Sequence, residues 1–105
     1  MITIYKYSVA PNIDRPNIIQ MPQGASVISC GLDGFGVRSI WALVDTDKAM
    51  EERRIWCVGT GWDLKEMFNG LCLQIGFIET IQDEYYIWHV FEEPSNGREL
   101  NDIKC

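Results

Sequence analysis

The regular alternation of short strand-like segments with turn residues is the feature that most constrains the fold of this chain. Segments rich in Val, Ile, Thr and aromatic residues recur along residues 2–92, and Gly, Pro, Asn and Asp separate them. A turn every ~8–12 residues is typical of all-β domains. We therefore predict a mainly β (α+β) fold, an antiparallel sandwich or partly closed barrel of about six to seven strands with one short helix.

The strand-like segments differ in how completely they are apolar. We predict strands over residues 2–9, 17–21, 25–32, 37–45, 53–60, 71–81 and 85–92. The segment Ile40–Val44 is apolar at every position, which predicts a central strand covered on both faces. Five apolar side chains are expected to share one core: Trp41, Leu43, Val58, Ile75 and Val90.

A short helix is indicated after the strand that ends near residue 60. Asp63 and Glu66 occupy the N-cap and N3 positions of a capping box, and Leu64, Met67 and Phe68 form an apolar stripe at helical spacing. Asn69-Gly70 is a usual helix C-terminus. We therefore predict a helix that begins at Asp63 and ends at Asn69-Gly70.

Chain length and composition indicate a single globular domain. Apolar residues make up 47% of the chain and charged residues 23%, which is the balance of a folded domain rather than a disordered one. We predict one β-rich domain over residues 1–93 and a C-terminal tail over residues 94–105. The spacing of Leu100 and Ile103 allows that tail to dock as one helical turn.

The compartment and the cofactor class follow from charge, cysteine spacing and the N-terminus. The chain has one histidine, His89, and four widely spaced cysteines, which are Cys30, Cys57, Cys72 and Cys105. We therefore predict reduced structural thiols, no metal and no cofactor. The chain shows neither a signal peptide nor a membrane span, and we expect a cytoplasmic protein. A net charge of −6 opposes binding to nucleic acid.

Six sequence blocks together resemble a family of small uncharacterised proteins from bacteriophages and prophages. The blocks are Thr3–Tyr7, the Met21-Pro22-x-Gly24-Ala25 turn, Trp41–Asp45, Val58–Gly61, Ile75-Gly76 and Trp88–Glu92. The resemblance spans about residues 3–92 and brings no established activity. It implies an accessory gene product that works in the cytoplasm of an infected bacterium. The tail after Glu93 departs from this pattern.

The candidate ligand site lies in one stretch of ten residues. Gly59-Thr60-Gly61 follows a strand and precedes a helix, where backbone N–H groups can bind an anion. Trp62 could stack on a ligand or cover the core edge, and Arg53 or Arg54 could supply a guanidinium. The alternatives are a tight structural turn and solvated strand-end charges. For His89 we expect a structural, half-buried role.

Two classes of binding function remain after catalysis is set aside. The chain offers no nucleophile, acid–base pair or metal ligands at a spacing that indicates a catalytic site. We therefore expect a binding protein and not an enzyme. The first hypothesis is an antagonist of host defence that sequesters a small nucleotide-type signal at the candidate ligand site. The alternative is an inhibitor that binds a host defence or metabolic protein through the carboxylates of residues 45–52 and 79–84. In either case, exposed edge strands predict a homodimer or a higher oligomer.

Overall fold

A computed structural model describes residues 1–68 and 76–94 of the chain, and the predicted fold class is confirmed. Within these ranges the protein has seven strands and one short helix. The elements are β1 (Ile2–Ser8), β2 (Asn17–Pro22), β3 (Ser26–Leu32), β4 (Arg38–Asp45), β5 (Met50–Gly59), α1 (Lys65–Phe68), β6 (Gly76–Gln82) and β7 (Ile87–Glu92). Each strand overlaps one of the predicted segments.

The strands form two separate antiparallel sheets. Sheet A has the order β1-β4-β3, and sheet B has the order β2-β5-β7-β6. Strand β3 at one edge of sheet A lies alongside β6 at one edge of sheet B. The described residues therefore adopt the sandwich form of the predicted class, with the two sheets face to face.

The main core lies between the two sheets and follows the period-2 alternation of the strands. The inward side chains of β4, which include Ile40 and Val44, pack against those of β5 and β7, which include Ile55 and Val90. Each of these four side chains is fully buried or nearly so. Because successive side chains of a strand point to opposite faces, every second residue of β4 contributes to this core.

The prediction that β4 is covered on both faces is wrong. Leu43 is 43% exposed and Trp41 is only half-buried. Sheet A is one of two layers and packs against sheet B on one face only. Its strands therefore have one covered face and one open face, and in β4 both faces carry apolar side chains. The expectation that Trp41 and Leu43 belong to a single core is wrong for the same reason.

A second apolar cluster lies on the outer face of sheet B. Met67 of α1 is fully buried there and packs with Trp56 and Val58 of β5. Val58 is therefore separated by sheet B from Val90 of the main core. The fifth predicted core residue, Ile75, lies outside the described residues.

The start of the helix agrees with the predicted capping residue. The backbone N–H of Lys65 donates to Asp63 Oδ1 at 3.1 Å, which satisfies one of the donors that a helix N-terminus leaves free. The predicted helix end at Asn69-Gly70, Cys72, and the tail beyond Pro94 with Cys105 lie outside the described residues. Among the helices that are described, none has the length and apolar character to cross a membrane.

Two of the four cysteines lie in the described part of the chain and behave as packing residues. Cys57 is buried in the main core and Cys30 is half-buried against it. Burial raises the pKa of the Cys30 thiol to about 12 and that of the Cys57 thiol to about 11. Both thiols therefore stay protonated near neutral pH, which suits small hydrophobic side chains rather than reactive ones.

Candidate functional site

The structure does not bring the predicted ligand-site residues together into one site. Arg53 and Arg54 lie in the first half of β5, whereas Gly59 is its last residue. At a rise of about 3.3 Å per residue, the six steps from Arg53 to Gly59 cover roughly 20 Å. The two guanidinium groups therefore lie far along the strand from the Gly59-Thr60-Gly61 turn.

Arg53 is a buried clamp between three segments of the fold. Its Nε and Nη2 donate to the two carboxylate oxygens of Glu92, with the Nη2–Oε1 distance at 3.0 Å, and its Nη1 donates to the carbonyl of Ala25 at 2.9 Å. The Glu92 hydrogen bonds raise the pKa of the guanidinium. All three nitrogens of this side chain are thus engaged inside the protein, at a residue exposure of 9%.

Arg54 points to the opposite face of sheet B, as the alternation of the strand predicts. Its Nε donates to Glu52 at 3.0 Å, and its Nη1 lies 3.8 Å from a carboxylate oxygen of Glu93. The side chain is half exposed. These contacts fit the alternative interpretation of a solvated strand-end charge.

The cavity beside Arg53 is acidic. It has a volume of about 580 Å³, and Glu51, Glu92 and Glu93 line it together with Arg53. The nearby carboxylates already accept hydrogen bonds, for example Glu51 from the backbone N–H of Gly24 at 3.1 Å. Three carboxylates around one engaged guanidinium do not suit a phosphate group, because the local charge is negative.

The Gly59-Thr60-Gly61 segment forms a tight turn that returns Trp62 onto the sheet. Gly61 has a positive φ of 85°, and the N–H of Trp62 donates to the carbonyl of Gly59 at 3.3 Å. The Trp62 indole covers Gly59 and meets Trp88 edge to face, with the ring centroids 5.7 Å apart. Trp62 therefore covers the core edge, as one of the two interpretations of this residue predicts.

A small pocket opens between this turn and β7 on the outer face of sheet B. It has a volume of about 230 Å³, and its mostly apolar lining includes Trp62, Leu64 and Phe91. One polar pair faces it, because Thr60 Oγ1 and His89 Nε2 lie 2.6 Å apart, within hydrogen-bond distance. The pocket can hold a small apolar group with a single polar anchor.

Sequence reasoning missed the Thr60–His89 pair because it depends on the register between two strands. Val58 of β5 is paired with His89 of β7, which places Thr60, two residues further along, beside the imidazole. The sequence indicates only on which face of its own strand each of the two residues lies. It does not determine which strands are neighbours.

The open face of sheet A carries a group of exposed apolar side chains at neighbouring positions. We call this surface the sheet A face; its apolar members are Ile2, Ile4, Ile28, Trp41 and Leu43. The β1–β4 register pairs Ile4 with Leu43. A shallow groove of about 320 Å³ runs between Ile4, Ile28 and Trp41. No single segment of the sequence indicates this surface, because it comes from three strands.

Charged groups border the sheet A face at both ends. At one end, the amino group of Met1 lies 3.6 Å from Asp45 and 3.1 Å from Asp47. A hydrogen bond from the N–H of Asp47 is the main cause that lowers the pKa of Asp45. At the other end, Lys6 Nζ donates to Asp33 at 2.8 Å. The face is therefore an apolar surface with ionised carboxylates at its border.

The fold and these surfaces define a small two-sheet β-sandwich with an open apolar face and a shallow side pocket. In residues 1–68 and 76–94, no three or more His, Cys, Asp or Glu side chains are arranged to hold a metal ion. The chain belongs to the family described as a domain of unknown function, DUF7352, which matches residues 1–101. That match extends beyond Glu93 into the predicted tail. Neither a curated protein nor a solved structure matches the chain.

Proposed function

We propose that this chain is a binding protein that docks a protein partner on the sheet A face. The observation that carries the proposal is the exposure of Ile4, Ile28 and Leu43, each between 43% and 52%, at neighbouring positions of one sheet. Single exposed apolar residues are ordinary, but a contiguous group bordered by charges marks an interaction surface.

The size of the face is appropriate for such a surface. Three strands at a spacing of about 4.8 Å and roughly 20 Å of strand length give a projected area of about 300 Å². The largest apolar patch of a typical monomer is about 300–600 Å² and is often functional. The face by itself is smaller than the ~800 Å² that each partner buries in a standard interface, so border residues must contribute to the contact.

Charge determines which kind of partner fits. Asp45 and Asp47 lie at the border of the face, and the whole chain carries a net charge of −6. A partner with an apolar centre and a basic border would gain from both the local pairs and the long-range field. This is the protein-inhibitor hypothesis, with the docking surface moved to sheet A. In the setting that the bacteriophage resemblance implies, the partner is a host defence or metabolic protein.

The experiment compares two substitutions of exposed apolar residues. Leu43→Asp introduces a charge in the middle of the sheet A face, and Phe35→Asp introduces the same charge at a 91% exposed position in the β3–β4 turn. Tagged wild-type and variant proteins are used to capture proteins from infected bacterial cells. Each captured protein is then purified and titrated by calorimetry against all three forms.

The proposal predicts one purified partner that binds the wild type and Phe35→Asp with equal affinity and binds Leu43→Asp at least tenfold more weakly. Both variants must keep the wild-type thermal midpoint for this comparison to count. The proposal is wrong if every captured protein binds Leu43→Asp as tightly as the wild type, or if none binds in the titration.

Sequestration of a small nucleotide-type signal is a second candidate function, and the pocket at Thr60 and His89 supports it. The pair supplies hydrogen-bonding groups beside the aromatic ring of Phe91. A volume of about 230 Å³ is below the ~300–1,000 Å³ of usual ligand sites, and the Arg53 and Arg54 guanidiniums point elsewhere. The pocket therefore fits one base or sugar better than a whole dinucleotide.

Calorimetry against cyclic dinucleotides and ADP-ribose derivatives tests this second candidate. Thr60→Val removes the hydroxyl that faces His89 and keeps the side-chain volume, so it should abolish binding of any nucleotide that uses the pocket. Leu43→Asp lies on the other sheet and serves as the control, with unchanged affinity expected. If no nucleotide binds the wild type, sequestration is excluded while the partner-docking proposal stands.

A further inference from the structure

We infer that the open edge of β1 pairs with β1 of a second copy of this chain, antiparallel and across a two-fold axis. This inference does not depend on the partner-docking proposal. Strand β1 runs over Ile2–Ser8 at the edge of sheet A, hydrogen-bonded on one side to β4. In the described part of the chain, β4 is also the one element with extensive contacts to β1.

The other three edge strands each carry a register shift or a proline, which discourage pairing, and β1 carries neither. Strands β3 and β6 lie alongside each other and each contains a register shift, at Val27/Ser29 and Phe77/Glu79. Strand β2 ends in Pro22. Strand β1 pairs with β4 without a register shift over seven residues, contains no proline and has one charged side chain, Lys6. Unprotected edges of this kind are templates for another strand.

The hydrogen bonds at the ends of β1 show which of its backbone groups point away from β4. The carbonyl of Met1 accepts from Thr46 and the N–H of Val9 donates to Arg38, both on the β4 side. In an antiparallel pair, alternate residues direct both backbone groups to the same neighbour. Odd-numbered residues of β1 therefore bond to β4. The residues that direct N–H and C=O to the open edge are Ile2, Ile4, Lys6 and Ser8.

A two-fold axis at Tyr5 uses all of these edge-facing groups. In that register Ile4 is paired with Lys6 of the second copy and Ile2 with Ser8, which forms roughly eight N–H···O=C bonds, two in each bonded pair. An axis at Lys6 would place the two ammonium groups directly opposite each other, which is unfavourable. An axis at Ile4 leaves Ser8 without a partner. The Tyr5 register is therefore the self-complementary one.

Pairing in this register would also join the two sheet A faces. Residues that are opposite each other in an antiparallel pair lie on the same face of the sheet. Ile4 of each copy would thus continue the apolar surface of the other across the axis. The resulting six-stranded sheet presents about twice the open apolar area of one chain, which provides a larger docking surface than either copy alone.

Light scattering of two variants, each with a proline introduced into an edge strand, tests the inference. Ile4→Pro removes an N–H that points to the open edge and keeps every bond between β1 and β4, because edge strands tolerate proline where the N–H faces outward. Gln20→Pro is the matched control in β2. Its N–H also points outward, since that of Gln23 donates to Ala49 on the β5 side. We expect twice the mass of one chain for the wild type and Gln20→Pro, and a single-chain mass for Ile4→Pro.

Two further variants, each with one cysteine introduced into β1, test the register and do not require the proline variant to fold. Tyr5 faces its own copy across the axis in a non-hydrogen-bonded pair, where Cα atoms are about 4.5 Å apart, within the range of a disulfide. Tyr5→Cys should therefore form a disulfide-linked dimer under mild oxidation. Thr3 lies on the same face of β1, but in this register it is four residues along the strand from Thr3 of the second copy. Thr3→Cys should therefore remain monomeric on a non-reducing gel.

Three results would overturn the inference. The first is a single-chain mass for the wild type at every micromolar concentration. The second is a dimer mass for folded Ile4→Pro. The third is equal cross-linking of Tyr5→Cys and Thr3→Cys. If the wild type is monomeric but an apolar strand peptide binds and Ile4→Pro abolishes that binding, the edge belongs to a different partner and the self-pairing inference is wrong.

Discussion

The indole of Trp62 occupies the space that a side chain at position 59 would need. A Cβ atom placed on Gly59 would lie 2.8 Å from two atoms of the Trp62 ring. Trp62 in turn contacts Trp88 of the main core and also packs against the cluster under α1. The glycine therefore allows one side chain to connect the two apolar clusters at the end of sheet B.

Gly59→Ala should destabilise the protein by about 1–3 kcal/mol, the usual cost of overpacking, because Trp62 must move away from Trp88. Gly34→Ala is the control, since nothing lies within 4 Å of a Cβ at that position, and its stability should stay close to that of the wild type. Urea unfolding followed by tryptophan fluorescence measures both. Equal midpoints for the two variants would contradict the close packing of Trp62 on Gly59.

The two adjacent arginines of β5 should differ sharply in their contribution to stability. Arg53→Ala removes the partner of a largely buried Glu92 carboxylate and should lower the free energy of unfolding by about 3–5 kcal/mol. Arg54→Ala removes the ion pairs of a half-exposed guanidinium and should cost less than about 1 kcal/mol. Denaturant titration of both variants measures the difference. Similar losses would show that the Arg53–Glu92 pair is not the clamp described above.

Substitutions in β4 test which of its faces is buried. Ile40 is fully buried, so Ile40→Ala should cost about 2–5 kcal/mol. Leu43 is 43% exposed, and Leu43→Ala should cost less than about 1 kcal/mol. Thermal and urea unfolding check both values. The reverse order would mean that β4 presents its other face to the core.

Acid should weaken the contact between the β3–β4 turn and β1. The Asp33 carboxylate accepts a hydrogen bond from Lys6 and two from backbone N–H groups of the turn, which lowers the pKa of Asp33 from 3.8 to about 2. A lowered pKa in the folded state stabilises the protein above pH 4, and this contribution is lost as the pH falls towards 2. The unfolding free energy of Asp33→Asn should therefore depend less on pH in this window, and an unchanged slope would contradict the assignment.

The strands could be predicted from sequence because local patterns specify them. The strand β1 and the Asp63 cap each depend on a few adjacent residues, and the structure has both as predicted. The neighbours of each strand could not be predicted in this way. The apolar segment in β4 has the same sequence whether one or two layers cover it, and only the packing of the sheets in the structure leaves Leu43 open to solvent.

The candidate sites were hard to predict for a related reason. Arg53 and Trp62 are nine residues apart in sequence and suggested one site, but an extended strand separates them in space. Thr60 and His89 are distant in sequence and meet through the pairing of β5 with β7. Chemistry that depends on register becomes visible only when the strand neighbours are known.

Hydroxyl-radical footprinting of side chains tests the docking surface most directly. The protein is labelled alone and in complex with the purified partner from the capture experiment, and oxidation is quantified residue by residue. We predict that Trp41, Leu43 and Ile4 are protected in the complex, while Phe35 and Tyr85, which are exposed elsewhere, are labelled equally in both states. Unchanged labelling of Trp41 and Leu43, together with protection at Trp62 and Phe91 beside the small pocket, would contradict docking on the sheet A face.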